Sequence, residues 1–423
     1  MKKIALLLAA LAVIAVAIAW PREEFIASTS PAAWAPTPAN IARGAYLARA
    51  GDCVACHTAR GGAEYAGGRA LDTPFGRLYG PNLTPDRDTG IGLWSADDFW
   101  NALHNGKSRD GRLLYPAFPY TNYTRVSRTD SDALYAYFRS LAPQRRPNQP
   151  HELDFPYNQQ ALLAGWRLLY FKPAVFTPQP ARDLAWNRGA YLVEGLGHCS
   201  ACHSTRNRLG ATGESLSGGL IPTIGWYAPS LTASGEAGMK DWDKEHIVAL
   251  LGTGISPRGS ATGPMAEVVA RSLQHLTAND LGAMATYLKS LPSTGAPVQD
   301  SGERAGEPLL AEGRRLYGSY CVDCHGADGQ GKGNGKGAAY PPLAGNRAVT
   351  MTPAVNAIRL VLNGGFPPGT AGNPRPYGMP PYSHELNDAQ VAAVLTYVRA
   401  SWGNAAPPVA AQDVNRYRSV PLD

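Results

Sequence analysis

Charge is scarce in this chain of 423 residues: 17% of them are Asp, Glu, Lys or Arg, against about 25% in ordinary domains. Nowhere do five or six basic residues run together, so the formal net charge of +6 is spread thinly and a nucleic-acid arm is excluded. Cysteine is confined to six residues, all within one repeated pattern, which leaves none for a structural disulfide. After Met1 there is no methionine before Met239. Only one long apolar run exists, and it lies at the start. No nucleophile constellation, phosphate loop or pair of catalytic carboxylates stands out, which points away from a chain with a substrate pocket of its own.

What is present describes a folded, loop-rich protein. With 44% hydrophobic residues, 9 Trp, 20 Tyr and 9 Phe, packed cores are available and global disorder is excluded. Gly 46 and Pro 35 favour loops, and the length allows about three domains of 100 to 200 residues. Of the 39 Lys and Arg, nine are lysines and 30 arginines, a bias suited to holding planar carboxylates.

Lys2 and Lys3 precede the uncharged run Ile4 to Trp20, within which Ala17-Ile18-Ala19 offers a small-residue cleavage site. Residues 1–20 therefore read as a signal peptide or as an uncleaved anchor, since about 17 apolar residues reach the lower limit of a spanning helix. Either way the remainder is delivered to the periplasmic face of an inner membrane. Residues 21–40 read as a tether.

The pattern Cys-x-x-Cys-His occurs three times: Cys53-Val-Ala-Cys56-His57, Cys199-Ser-Ala-Cys202-His203 and Cys321-Val-Asp-Cys324-His325. Arg43-Gly44-Ala45-Tyr46-Leu47 recurs identically as Arg188-Gly189-Ala190-Tyr191-Leu192, with Glu312 to Tyr317 in the same place in the third copy. Each copy closes on a capped helix, with Thr129 and Asp132, Thr277 and Asp280, and Asn387 and Gln390 at capping-box spacing. A period above 100 residues is too long for a solenoid. The expectation is an all-α protein of three tandem domains, each wrapped around one covalent group, at 41–150, 181–295 and 305–404. Residues 151–180 and 296–304 read as linkers and 405–423 as a tail without an amphipathic helix. Within the first linker, Leu162 to Phe171 reads as a patch that docks a partner or a membrane surface or, the favoured expectation, packs on a neighbouring domain.

Two thiols and an imidazole on one helical turn can hold one flat ligand, and Cys-x-x-Cys-His is the attachment pattern of c-type haem: two thioether bonds and a proximal His ligand. Zinc would require pairing distant copies, and a redox dithiol would require a strand before the cysteines. Three copies behind an export signal favour three haem c groups, attached at Cys53 and Cys56, Cys199 and Cys202, and Cys321 and Cys324, with His57, His203 and His325 on the irons.

Methionine is the first candidate for the sixth ligand. Met265 and Met379 lie in Gly/Pro loops after their motifs, whereas Met284 sits at apolar spacing on a helix, and Met239 and Met351 lie in polar stretches. In the first copy the position corresponding to Met379 is Phe118, which cannot ligate iron. His104, on a helix opening with Ser95 and Asp98, aligns with Leu362 and reads either as a haem ligand or as a solvated helix-end histidine. Haem 1 is expected to be five-coordinate or weakly ligated.

From Gly44 to Asn404 the sequence resembles the tri-haem cytochrome c subunit of bacterial membrane-bound dehydrogenases. The carriers include AGDCVACHTA, TPFGRLYGPNLTPDRDTGIG, LYPAFPYT, HCSACHSTRN, GPMAEVVARSLQHLT and YGMPPYSHELND. The resemblance implies that Met265 and Met379 are axial ligands. It also implies that electrons arrive from a separate catalytic subunit of flavin, PQQ or molybdenum type and leave for ubiquinone, a terminal oxidase or another cytochrome at the membrane. The Phe118 form is similar to cytochromes paired with molybdenum hydroxylases, some of which place a His near Asn122. The rival expectation is a haem enzyme, peroxidase-like or oxidising small sulfur compounds at an open haem 1, with His104 and the stretch Arg109 to Arg112 as distal groups.

Overall fold

The computed structural model describes residues 31–295, 305–332 and 340–420. The signal or anchor segment, the first half of the tether and the 296–304 linker lie outside the described residues. Among the described residues no helix is long and apolar enough to cross a membrane.

In the first domain α1 (Pro31–Trp34), α2 (Pro38–Ala50), α3 (Cys53–His57), α4 (Ala96–Asn105), α5 (Tyr120–Tyr123) and α6 (Arg128–Ser140) follow one another. The linker carries α7 (Gln160–Tyr170). The second domain holds α8 (Leu184–Ala190), prolonged by a π-helical turn over Tyr191–Leu196, then α9 (Lys244–Thr253), α10 (Pro264–Arg271) and α11 (Ala278–Ser290). The third holds α12 (Glu307–Tyr320), α13 (Val322–His325), α14 (Arg347–Thr350), α15 (Val355–Asn363), α16 (Asp388–Ala400) and α17 (Ala411–Arg418). The architecture is mainly helical, as expected. Its short strands lie in connecting segments: β1 (Ala70–Thr73) and β2 (Gly76–Tyr79) pair antiparallel, and β3 (Glu152–Leu153) joins them from the linker.

One glycine per domain explains the repeated motif. The pairs α2 and α6, α8 and α11, and α12 and α16 cross so closely that a Cβ on Gly44 would lie 2.0 Å from the Ala133 carbonyl oxygen. Gly189 would meet that of Ala283 at 2.0 Å and Gly313 that of Ala393 at 2.2 Å. The Cβ atoms of Tyr137, Tyr287 and Tyr397 close the same crossings. Thr277 and Asn387 cap α11 and α16 as their spacing predicts. In the first domain the cap is Ser127, accepting from the Asp130 N–H at 3.2 Å, so the cap lies two residues before the expected Thr129.

The first two domains share one apolar core, whereas the third has its own. Two reciprocal clusters seal that pair. Arg43 donates to Asp130 within the first domain at 2.9 Å, and Tyr191 of the second donates to the other Asp130 oxygen at 2.6 Å. Conversely Arg188 donates to Asp280 within the second domain at 2.8 Å, and Tyr46 of the first donates to it at 2.6 Å. The third copy has Glu312, Arg315 and Gln390 at these positions and takes no part. Burial pushes the Asp280 carboxyl up, but Arg188 and Tyr46 outweigh it and hold it below its ordinary value. Its contribution is therefore complete above the unfolded carboxylate range and is lost as pH falls through the folded value. Replacing Tyr46 and Tyr191 by Phe is expected to cost about 1.5 to 3 kcal/mol per hydrogen bond. Urea unfolding should show this in the transition of the paired domains while that of the third domain stays in place.

The third domain joins the second through Asn356, which accepts from the Tyr227 N–H at 3.0 Å and donates to its carbonyl at 2.7 Å. Asn346 adds a bond to Ser260 at 3.1 Å. The tail differs from expectation: α17 is a short amphipathic helix that buries Val414 and Tyr417 against the third domain, and Arg418 pairs with Asp388 at 2.6 Å. Its eight residues are mostly polar, which hides the two apolar anchors one turn apart.

Candidate functional site

The three Cys-x-x-Cys-His segments fold as compact turns directly after the first helix of each domain. In two copies the residue before the first cysteine takes the left-handed conformation, Asp52 at φ 47° and His198 at φ 39°. That kink reverses the chain so that the cysteines start a new turn. In the third copy α12 runs directly into Cys321, whose φ is −121°.

The histidines share one arrangement. The His57 Nδ1 lies 2.8 Å from the Pro81 carbonyl oxygen, that of His203 2.7 Å from Pro229 and that of His325 3.1 Å from Pro341. A carbonyl only accepts, so Nδ1 carries the proton and Nε2 is left with the lone pair that binds iron. Burial keeps each imidazole below its usual pKa, in the neutral form a metal requires. Burial also pushes the Cys53, Cys56 and Cys199 thiols up to about 12. Among the described residues no group of three or more His, Cys, Asp or Glu converges as a zinc site would require. Paired thiols beside a neutral imidazole with Nδ1 anchored fit a covalent haem in each domain, and three haem c groups are assigned to these motifs.

Of the two expected sixth ligands only Met379 lies in a loop as its sequence suggests; Met265 falls on a helix instead. Met265 opens α10 and packs half-buried on the shared core. Met379 lies half-buried in a loop, its N–H donating to the Gly365 carbonyl at 2.7 Å and its carbonyl accepting from the Gly365 N–H at 3.0 Å. Met239 and Met351 are buried rather than in polar surroundings, as is Met284. Phe118 lies half-buried, its ring 5.4 Å from that of Tyr123.

His104 is not a solvated helix-end residue. It is 1% exposed, its Nδ1 lies 2.8 Å from the Thr124 carbonyl oxygen, and its ring stacks on Trp100 at 4.6 Å. Arg109 and Arg112 face solvent, where they pair with Asp98 and Asp110, so they do not join His104 in a distal acid–base set.

Sequence reasoning missed the seam between the first two haem motifs. His198 reaches the Gly51 carbonyl oxygen at 3.3 Å, and its ring stands edge-on to Tyr123. Asn122 donates to the Glu194 carbonyl at 2.9 Å and to the Ser200 hydroxyl at 2.7 Å. Thus the position where some relatives were expected to carry His here ties the domains together. Arg69 of the first domain also lies 3.6 Å from Glu267 on α10 of the second. Much of the arginine excess serves such internal pairs: Arg43, Arg125, Arg128 and Arg188 all bind carboxylates.

The family model described as Cytochrome c matches three times, over residues 41–142, 187–292 and 310–402. The chain is 40% identical over 417 residues to the gluconate 2-dehydrogenase cytochrome c subunit of Pantoea cypripedii, covering 93% of each. It is 39% identical over 399 residues to the cytochrome c subunit of the quinone alcohol dehydrogenase of Komagataeibacter europaeus, covering 90% of this chain and 84% of that one. A nicotinate dehydrogenase subunit of Pseudomonas putida is 42% identical over 403 residues, which is 92% of this chain; the chain spans about a third, 32%, of that longer protein.

Proposed function

The chain belongs to the cytochrome c family, as a three-domain cytochrome c subunit of the dehydrogenase type, and from that premise we propose that it takes electrons from a separate catalytic dehydrogenase subunit on the periplasmic side of the membrane and delivers them to ubiquinone or another terminal acceptor. The observation that carries this reading is the packing of the first two haem motifs against one seam, His198 on Gly51 and Asn122 on Ser200. Haem c, when bound, supplies a one-electron couple at each motif. The protein's part is to hold each imidazole in one tautomer through Pro81, Pro229 or Pro341, to keep the motifs in fixed relation, and to exclude water from the histidines. Met265 and Met379 are the residues proposed to complete the second and third irons. The names of the relatives leave alcohol, gluconate and nicotinate dehydrogenases as models for the partner. Phe118 in place of Met favours a partner of molybdenum type over a flavin or PQQ enzyme.

The test has two arms. Protein matured in a host competent for c-type haem should contain three haem irons per chain; a ratio of two or one would remove the three-carrier reading. The purified chain alone should leave alcohols, sugars and aldehydes unoxidised, while the copurifying dehydrogenase should reduce its haems as soon as substrate is added. Substrate-dependent haem reduction in the isolated chain would favour the rival haem-enzyme reading.

A further inference from the structure

Helix α7 buries its charge and exposes two of its leucines. Its one charged residue, Arg167, is only 8% exposed and lies over the rings of Tyr120 and Phe171 at 5.2 and 4.7 Å, with Leu163 buried beside it. Two of its four leucines point the other way: Leu162 is 53% and Leu169 73% exposed, while Leu163 is buried with Arg167 and Leu168 is half-buried. On a helix of 3.6 residues per turn, Leu162, Gly165, Trp166, Leu169 and Tyr170 fall on one stripe. A helix resting on a water-soluble domain places its charge outward and its leucines inward, whereas this one buries its only charge and turns two leucines out. The expectation that the segment packs on its neighbours therefore holds for one face only.

The exposed stripe continues beyond the helix. Trp166 Nε1 donates to the Leu209 carbonyl at 2.9 Å, which sets the half-exposed Leu209 against the stripe. Before the helix, Phe155 is 81% exposed. Patches of this kind mark a surface that is covered in the working state. The charges say by what. From Phe155 to Ala181 there is no acidic residue, while Lys172 is exposed in the same segment and Arg206 and Arg208 flank Leu209. Leucines outward, Trp and Tyr alongside and cations only at the margin match the interface of an anionic bilayer.

We propose that the outer face of α7, with Leu209, lies on the anionic lipid surface of the membrane. This rests on the reading of the chain as a subunit that works at a membrane, and it adds which face is turned to the lipid. Arg206 at the edge of the patch donates to the carbonyl of Ala201, between Cys199 and Cys202. This placement sets the second haem motif beside the lipid-facing patch.

Hydrogen–deuterium exchange on the full haem-loaded chain tests it. Phosphatidylcholine vesicles containing phosphatidylglycerol should slow exchange of residues 160–170 at least tenfold, and the double variant Leu162→Glu, Leu169→Glu should lose that protection while keeping its haem content and spectrum. Unchanged exchange of this helix in the wild-type chain with vesicles would overturn the proposal even if the variant failed to fold. So would protection by the copurifying dehydrogenase subunit but not by vesicles, which would make the face a protein interface. Neither outcome depends on haem reduction, which tests the electron-transfer reading separately.

Discussion

Gly313→Ala is expected to destabilise the third domain by about 3 kcal/mol or more, at the upper end of overpacking costs. Gly318→Ala, farther along the same helix, is expected to stabilise it by roughly 0.5 to 1 kcal/mol. The two substitutions add the same methyl group to α12. At Gly313 the new Cβ would stand 2.2 Å from the Ala393 carbonyl oxygen and 2.6 Å from the Tyr397 Cβ, so backbone must give way, not a flexible side chain. At Gly318 nothing lies within 4 Å, and the methyl only lowers the entropy that glycine loses on entering a helix. For a domain of this size each kcal/mol moves the melting temperature by roughly 4 to 8 °C. Gly313→Ala should therefore lower the third-domain transition by roughly 12 °C or more, followed through its haem absorbance. Equal and small shifts for both variants would mean that α12 and α16 do not cross at Gly313. The same contrast is available in the first domain, where Gly44 meets Ala133 at 2.0 Å.

Such crossings were half legible in the sequence. The repeated Arg-Gly-Ala-Tyr-Leu gave the glycine a fixed place before each motif, and the period gave the number of domains. The haem motifs needed nothing further, because attachment is a property of a single helical turn. What sequence could not supply was the partner of each side chain across domains. Tyr46 and Tyr191 occupy equivalent positions, yet each satisfies the carboxylate of the other domain, and only the spatial pairing decides that. A signal was present: Arg, Tyr and Asp recur together in the first two copies and are all replaced in the third, as expected of residues that work only as a pair. The orientation of helix α7 was hidden for a different reason. Its periodicity is that of any amphipathic helix, and periodicity does not say which face turns inward when the single charge can stack on aromatic rings.

His104→Ala is expected to convert the ferric haem of the first domain from low-spin to high-spin, leaving the other two unchanged. Phe118 offers no lone pair, and sequence alone weighed His104 between a ligand and a solvated residue. The structure removes the solvated alternative by burying the ring. Its Nδ1 meets a backbone carbonyl at 2.8 Å, just as His57 meets Pro81, and Trp100 fixes the ring plane. Donation from Nδ1 assigns the lone pair to Nε2, the same tautomer that the three proximal histidines adopt for iron. The aligned residue in the third domain, Leu362, is likewise fully buried. Two imidazoles give a lower potential than His with Met, so the first haem should titrate below the other two. Phe118→Met in the His104→Ala background should restore a low-spin signal, now of His/Met type and at higher potential. Electron paramagnetic resonance of the oxidised protein is decisive. A high-spin first haem in the wild-type chain, unaltered by His104→Ala, would leave that iron five-coordinate and assign His104 to holding α4 against Thr124. Three His/Met signals would instead require a methionine from another domain, such as Met239, to reach the first haem.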